Sequence, residues 1–546
     1  MARTAPERKA IVCKHRPDAA GRTALTFKQL NLESDCFARG LSQLGLKAGS
    51  RALLMVRPGL EFISLTFALF KLGAVPILID PGMGKKNLFD CIKQAQPEAL
   101  IAIPRAHLAR VLSSHEAFKS IRINVTVGRR WFWGGESLQQ VRALGATAEN
   151  PVLARTTHET TAAILFTTGS TGIPKGVLYT HGMFGAQVVA IQRQYQIKSG
   201  EVDLAAFPLF ALFSAALGTT CVIPDMDPTR PAECKPEKIV KALQDHEVTY
   251  SFGSPAIWKR VGPYCLSRGI KLPALKRILM AGAPVRGEVL APFAKILSAD
   301  ADTYIPYGAT EALPVASIRG SEVLQETWAL TRRGGGHCVG KPLPGISLQI
   351  VRPDSAQRSL GDKMIWDDNL VLPPGEIGEI AVKGNVVTRE YFKMPEATRN
   401  AKIYEKSEDG FWHLMGDMGY VDENGRLWFC GRKAHRVLKR DCTLYSVCVE
   451  AVFEAAIERI FGAVRRVALV GIGKPGEQSA VILCEQGSEL SRPGKLRDEF
   501  NAWRKGEELA AQVERVLSYP AQFPVDIRHN AKINREELSR WAARVL

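Results

Sequence analysis

Two rhythms of apolar residues alternate through the N-terminal half of the chain. FKQLNLESDCFARGLSQL (27–44) puts apolar side chains at the three-and-four spacing of a single helix face, and LEFISLTFALFKL (60–72) is apolar on nearly every face. These predict an amphipathic and a buried helix. RALLMV (51–56) and VPILI (75–79) are short unbroken apolar runs, the signature of strands covered on both faces. The same alternation returns in 238–244, 249–252, 256–261 and 277–280. Parallel strands need a long crossover, normally a helix, so the repetition predicts an α/β fold whose large N-terminal domain holds doubly wound parallel sheets.

From Gly345 onward the rhythm changes to strands and turns, with IVRPD, PPGEIGEIAVKG and DENGRLWFCGR, which predicts a β-rich subdomain. Beyond Gly431 the pattern predicts a helix over 449–460, strands over 467–472 and 480–485, and a long polar helix over 499–517. Residues 432–546 therefore read as a small α+β C-terminal domain, and residues 1–431 as the large N-terminal one. The stretch LAAFPLFALFSAALGTTCVIP (204–224) carries no charge and is long enough to cross a bilayer. Pro208, the run Gly218–Thr219–Thr220 and the flanking Asp203 and Asp225 argue for a strand, loop and helix in a large core instead. No transmembrane span is expected.

Of the 546 residues 46% are apolar and 23% charged, which is ordinary globular composition and excludes disorder. Eleven cysteines without a CxxC pair support neither a disulfide framework nor a zinc ribbon. The opening MARTAPERKAIVCKHRPDAAGR lacks the apolar segment of a secretory signal, so a cytoplasmic location is expected. A net charge of +17 suits an anionic partner: nucleotide, phosphorylated substrate, acidic lipid or nucleic acid. The excess is diffuse, with 20 Lys/Arg against 15 Asp/Glu in residues 432–546 and no run of five like charges. That argues against nucleic acid, which calls for a concentrated basic stripe with interleaved aromatics.

In AAILFTTGSTGIPKG (162–176) an apolar strand runs into a loop of Gly, Ser and Thr that ends in Pro174, Lys175 and Gly176. Such a loop concentrates backbone N–H groups and hydroxyls, with glycines permitting close approach, and suits a polyphosphate. It lacks the Gly-x4-Gly-Lys-Ser/Thr spacing of a Walker A loop. Taken alone, the segment reads more readily as a structural turn.

TTGSTGIPKG is similar to the phosphate loop of the adenylate-forming superfamily, which includes acyl-CoA synthetases, luciferases and peptide-synthetase adenylation domains. Further segments resemble that superfamily in the same order: AGAP (281–284), YGATE (307–311), GDMG (416–419), Gly431–Arg432 and NAKINR (530–535). The resemblance implies ATP and Mg²⁺ as cofactors and a small, mobile C-terminal domain. It places Thr167, Thr168, Gly169, Ser170, Thr171, Gly172 and Lys175 on the phosphates. Gly282, Ala283, Pro284, Tyr307, Gly308, Ala309 and Thr310 would form the nucleotide pocket, Asp417 and Arg432 its ribose end. Glu311 would be the metal ligand, and Lys532 would bridge carboxylate and α-phosphate, with Lys175 and Glu311 sharing the catalytic work.

Departures from the superfamily pattern narrow the reading. Ala434 stands where Asp or Lys acts as a hinge, and Leu438 and Asp441 stand where a Lys and a Gly line the pantetheine path of acyl-CoA synthetases. A carboxylate there would obstruct a thiol. FPLFALF (207–213), YGATEALPV (307–315) and RHNAKINR (528–535) resemble the β-lactone synthetase family of bacterial long-chain olefin biosynthesis. This implies adenylation of a 2-alkyl-3-hydroxy fatty acid, then attack by its own hydroxyl to give a β-lactone, with the fatty acid as small-molecule partner and assembly with enzymes of the same pathway. A long-chain fatty acyl-CoA ligase is the alternative, and a non-catalytic binder of AMP or acyl chains a third reading.

Overall fold

A computed structural model describes the chain except residues 114–115, 149–152, 168–173, 354–362, 408–409, 463, 492–493 and 526–532. Seven strands form a first sheet in the order Glu136–Ser137, Ile123–Thr126, Ala99–Ala102, Arg51–Met55, Val75–Leu78, Thr161–Thr167, Lys175–Thr180. All neighbours are parallel except the last pair. Strand alternation sends Ala52, Leu54 and Ile101 to one face, against helices Phe27–Gln43, Leu60–Leu72 and Leu138–Thr147. Leu53, Leu100 and Ala102 turn to the other, against Lys85–Ala95. Phe27–Gln43 starts where its sequence dictates: Thr26 Oγ1 accepts from the Gln29 N–H at 3.2 Å, and Gln29 Oε1 from the Thr26 N–H at 2.9 Å. This reciprocal pair satisfies two otherwise orphaned donors.

The second sheet has fifteen strands. Lys9–Val12, Thr220–Val222, Val202–Ala205, Tyr250–Gly253, Arg277–Met280 and Asp302–Ala309 form its parallel half in that spatial order. Asp302–Ala309 then turns back antiparallel as Ala312–Arg319, and His337–Pro342, Leu427–Arg432, Phe411–Val421, Gly378–Lys383 and Ser347–Val351 follow. The β-rich region expected from Gly345 onward is thus no separate sheet: it extends the parallel one across the 302–319 hairpin. The uncharged 204–224 stretch becomes the end of strand Val202–Ala205, the helix Ala211–Leu217 and strand Thr220–Val222. No described helix is long and apolar enough to cross a membrane.

Residues 437–542 supply two apolar clusters on the faces of a three-stranded sheet, Val467–Ile472, Ser479–Glu485 and Arg515–Tyr519. One face packs Phe453, Ile457 and Phe500, the other Phe523, Leu538 and Ala542. The polar helix predicted over 499–517 is a correction. It ends at Gly506, and RVLSY (515–519) pairs in parallel with Ser479–Glu485, because ladder bonding and burial outweigh the helical pattern of a few residues. This unit is held to the rest by Arg286–Glu454 (2.8 Å) and Arg332–Glu458 (2.7 Å). At Gly431, φ is +128° and an added Cβ would lie 2.5 Å from Ser446 Oγ, so only glycine fits where strand Leu427–Arg432 meets the first turn of helix Ser446–Phe461.

Beneath the Ala211–Leu217 helix, Asp203 is only 1% exposed, and its Oδ2 accepts from Ser214 Oγ at 2.6 Å. Burial pushes this carboxyl up to about 7 from an ordinary 3.8. The folded chain therefore holds a proton that the unfolded chain releases, so stability falls as pH rises from about 4 to 7 and the full penalty is present above 7. Asp203→Asn keeps an acceptor for Ser214 and removes the charge. Its melting temperature should exceed that of the parent chain clearly at pH 8 and by much less at pH 5; equal gains at both would contradict the assignment.

Candidate active site

A cavity of about 2730 Å³ opens where the two large sheets and the C-terminal unit meet. Lys175, Gly282, Ala283, Pro284, Tyr307, Gly308, Ala309, Thr310, Glu311, Asp417 and Arg432 all line it. Thr167 ends its strand in register with Lys175. Thr168, Gly169, Ser170, Thr171, Gly172 and Lys532 lie outside the described residues, but Val525, Ile533, Asn534 and Arg535 border the cavity.

One polar cluster is built by strand register. Asp417 and Arg432 are direct partners on neighbouring antiparallel strands, and Arg432 Nη1 lies 3.0 Å from Asp417 Oδ1. Tyr307 Oη donates to Asp417 Oδ2 at 2.6 Å. Asp417 is 3% exposed, and its charge raises the Arg432 guanidinium further while burial keeps Tyr307 protonated. The result is a fixed carboxylate at the cavity wall, held by a cation and a phenol.

A second cluster sits at the tip of the hairpin between Asp302–Ala309 and Ala312–Arg319, where the chain reverses at Thr310 and Glu311. Tyr391 Oη donates to Glu311 Oε1 at 2.8 Å, and the Thr388 N–H to the Glu311 carbonyl at 2.8 Å. Tyr179 Oη donates to the Thr310 carbonyl. The Lys175 ammonium stands 4.8 Å from the centre of the Tyr391 ring, so one aromatic side chain positions both the lysine and the carboxylate. Burial, then the Glu311 charge, holds the Tyr391 hydroxyl far above its ordinary value. Behind this cluster Lys402, 1% exposed, donates to the Thr388 carbonyl and covers the Phe411 ring at 4.4 Å. Burial lowers it to about 7, with Glu311 pulling the other way.

The histidines on the cavity wall are neutral at pH 7. Burial and Arg286 take His337 down to about 4; burial, Arg535 and Arg432 take His435 to about 3; burial lowers His181; and burial with Lys402 lowers His413. Positive charge comes instead from Lys175, Arg432, Lys433 and Arg535, which line the same space.

Another part of the cavity wall is apolar. Phe70, Phe184, Phe213, Phe210 and Phe207 form a chain of rings with centroids 5.4–6.4 Å apart, and Phe210 stacks on Phe252 at 3.6 Å. Leu209, Phe210, Leu212 and Phe213 are only half-buried although apolar, because they face the cavity and not the core.

Tyr391, Tyr179 and Lys402 were not legible beforehand, since a Tyr or Lys in a β-rich stretch carries no local signal of what it will touch. Ala434, at the expected hinge position, lines the cavity. Asp441 does not: it is exposed in the turn between Val437–Leu438 and Thr443–Leu444.

Two large sheets capped by a small α+β unit over a cavity lined by Lys175, Arg432, Lys433 and Arg535 define the fold of adenylate-forming enzymes. The chain belongs to the AMP-binding enzyme family, whose description matches residues 1–392. It is 45% identical to the olefin beta-lactone synthetase of Stenotrophomonas maltophilia over 551 residues, covering 100% of this chain and 96% of the relative. In fold it is similar to the amide bond synthetase McbA from Marinactinospora thermotolerans, with a TM-score of 0.77 at 22% identity over 98% and 97% of the two chains. It is also similar to the O-succinylbenzoate coenzyme A synthetase from Bacillus subtilis solved in complex with ATP and magnesium ion, with a TM-score of 0.72 at 19% identity over 98% of each chain.

Removing Arg432 strands the buried Asp417 carboxylate without its cation. Arg432→Met should lower unfolding free energy by about 2 kcal/mol, and Arg432→Met combined with Asp417→Asn should recover part of that loss in urea titrations. A double variant less stable than the single one would show that Asp417 does not depend on Arg432.

Proposed function

We propose that the chain is an ATP-dependent, AMP-forming ligase that activates a long-chain 2-alkyl-3-hydroxy fatty acid and closes it to a β-lactone. The observation that carries this reading is a single cavity with a cation- and carboxylate-lined end continuous with a phenylalanine-walled end, dimensions and chemistry that suit a nucleotide beside alkyl chains. The 45% full-length identity to an olefin beta-lactone synthetase supports the particular reaction.

In the first step a carboxylate oxygen of the acid attacks the α-phosphorus of ATP, and the bond to the β-phosphate breaks. Lys175, on the strand that leaves the phosphate loop, and Lys532 offset the charge of the two reacting anions. Asp417 accepts from the ribose hydroxyls, held by Arg432 and Tyr307; the segments Gly282–Ala283–Pro284 and Tyr307–Gly308–Ala309–Thr310 flank the base. Glu311 fits Mg²⁺. Among the described residues no group of three His, Cys, Asp or Glu could hold a metal unaided, and Mg²⁺ commonly takes one carboxylate with the rest of its shell from phosphates and water. When bound it neutralises the phosphate charge.

In the second step the 3-hydroxyl oxygen attacks the acyl carbon, the bond from that carbon to AMP breaks, and the hydroxyl proton is lost. Nucleophile and carbonyl belong to one molecule, so proximity replaces a second substrate. The cavity needs only to hold the adenylate folded and dry, which the aromatic wall does.

Lys532→Ala should cut pyrophosphate release by roughly 10² or more while AMP affinity changes by only a few-fold; unchanged turnover would remove Lys532 from the chemistry. Asp417→Ala should weaken nucleotide binding by about 1.5–3 kcal/mol, read by calorimetry, and equal affinity would refute the ribose role. AMP release from a 3-hydroxy acid should be indifferent to coenzyme A, and a matching acid without the hydroxyl should stall as the adenylate. A thioester product, with AMP release that needs coenzyme A and ignores the hydroxyl, would make the chain an acyl-CoA ligase instead.

A further inference from the structure

Among the described residues, Trp131 and Phe132 are the exposed large aromatic side chains, at 54% and 71% exposure. They are displayed by a built loop. Gly128 (φ +112°) opens it, and Gly134 and Gly135 (φ +76° and +74°) close it. Between them Trp133 turns inward: it is 7% exposed, its Nε1 donates to Thr126 Oγ1 at 2.9 Å, and its ring stacks on His107 at 5.7 Å with an 8° interplanar angle. Arg110 Nη2 donates to the Trp133 carbonyl at 3.1 Å, tying the loop to helix Pro104–Ser113. Trp131 and Phe132 sit against Trp133 with centroids 5.5 and 5.6 Å away and face water on their other sides. Two large apolar rings fixed outward by a buried third ring are a surface built to be covered.

Charge says by what. Arg129 and Arg130 precede the aromatic pair and are exposed, and Arg105 on the same helix is exposed as well. A Trp preceded by two arginines offers the side-chain set of the membrane interface, where the ring takes the headgroup level and guanidinium meets phosphate. Position agrees: Ile103, Arg105 and Ala106, at the start of that helix, line the cavity. An added Cβ at Gly128 would touch Pro104 Cδ at 3.6 Å, so the loop abuts the cavity's edge.

We propose that residues 128–135 dock the chain reversibly on an anionic lipid bilayer, with Trp131 and Phe132 in the interfacial layer and Arg129 and Arg130 on lipid phosphates, so that substrate enters the cavity from the membrane. The entry route rests on the long-chain acid proposed above; the docking does not.

Co-sedimentation with vesicles of phosphatidylglycerol and phosphatidylcholine tests it. The parent chain should bind these and bind pure phosphatidylcholine weakly. Trp131→Ser with Phe132→Ser, and separately Arg129→Gln with Arg130→Gln, should each reduce the bound fraction roughly tenfold. Both variants alter exposed side chains, and among the described residues the one bond lost, from Arg130 to the Gly135 carbonyl, lies within the loop, so their melting temperatures should stay close to the parent's. Turnover of a short, water-soluble 3-hydroxy acid should be unchanged in both, and turnover of a long-chain acid presented in vesicles should fall with binding. A parent that fails to sediment with anionic vesicles, or a Trp131→Ser/Phe132→Ser chain that sediments as the parent does, overturns the proposal. So does a change in self-association of that variant with vesicle binding intact, which would assign the loop to a protein interface. Should the parent turn over neither acid, the substrate reading fails while vesicle binding still decides the docking.

Discussion

The two large sheets share one apolar core, and the rest of the molecule is arranged around that constraint. Ile11, Leu25, Ala205 and Cys221 from the second sheet are buried in the same cluster as Leu54, Ile101 and the helices Phe27–Gln43 and Leu60–Leu72 of the first. Helices sandwiched between sheets are covered on both sides, which is why LEFISLTFALFKL has almost no polar face. Because the sheets are locked through their buried faces, the cavity between their edges is rigidly shaped. It is at those edges that Lys175, Glu311, Asp417 and Arg432 converge.

Electrostatics in the cavity follows from burial. Two of its carboxylates are held by a phenol, Asp417 by Tyr307 and Glu311 by Tyr391, and a buried phenol remains a donor at any physiological pH. The same desolvation silences the histidines, so permanent guanidinium and ammonium groups face the anions. Such a wall suits a reaction whose difficulty is bringing anions together.

The chain is also amphiphilic in its surface. A cavity with polar and apolar walls lies near a loop that shows two aromatic rings beside arginines. The diffuse +17 charge has a local expression there.

Periodicity determined the large features: the helices at 27–43 and 60–72, the strands at 51–55 and 277–280, and the α/β class, while Pro208, Gly218 and the flanking Asp203 and Asp225 decided the fate of the uncharged 204–224 stretch. These are local properties, because a side chain's alternation or helical spacing is written in its neighbours. Short ordered motifs likewise pointed to Lys175, Glu311, Asp417 and Arg432, since a nucleotide demands particular residue types at close spacing. Tertiary structure decided what depends on residues far apart in sequence. The 302–319 hairpin joins the β-rich region to the parallel sheet; RVLSY becomes a strand because Ser479–Glu485 offers it a ladder; Tyr391 reaches Glu311 across 80 residues. Whether Trp133 turns in while Trp131 and Phe132 turn out depends on a stacking partner, His107, and a hydroxyl, Thr126, that only the folded sheet brings to the loop.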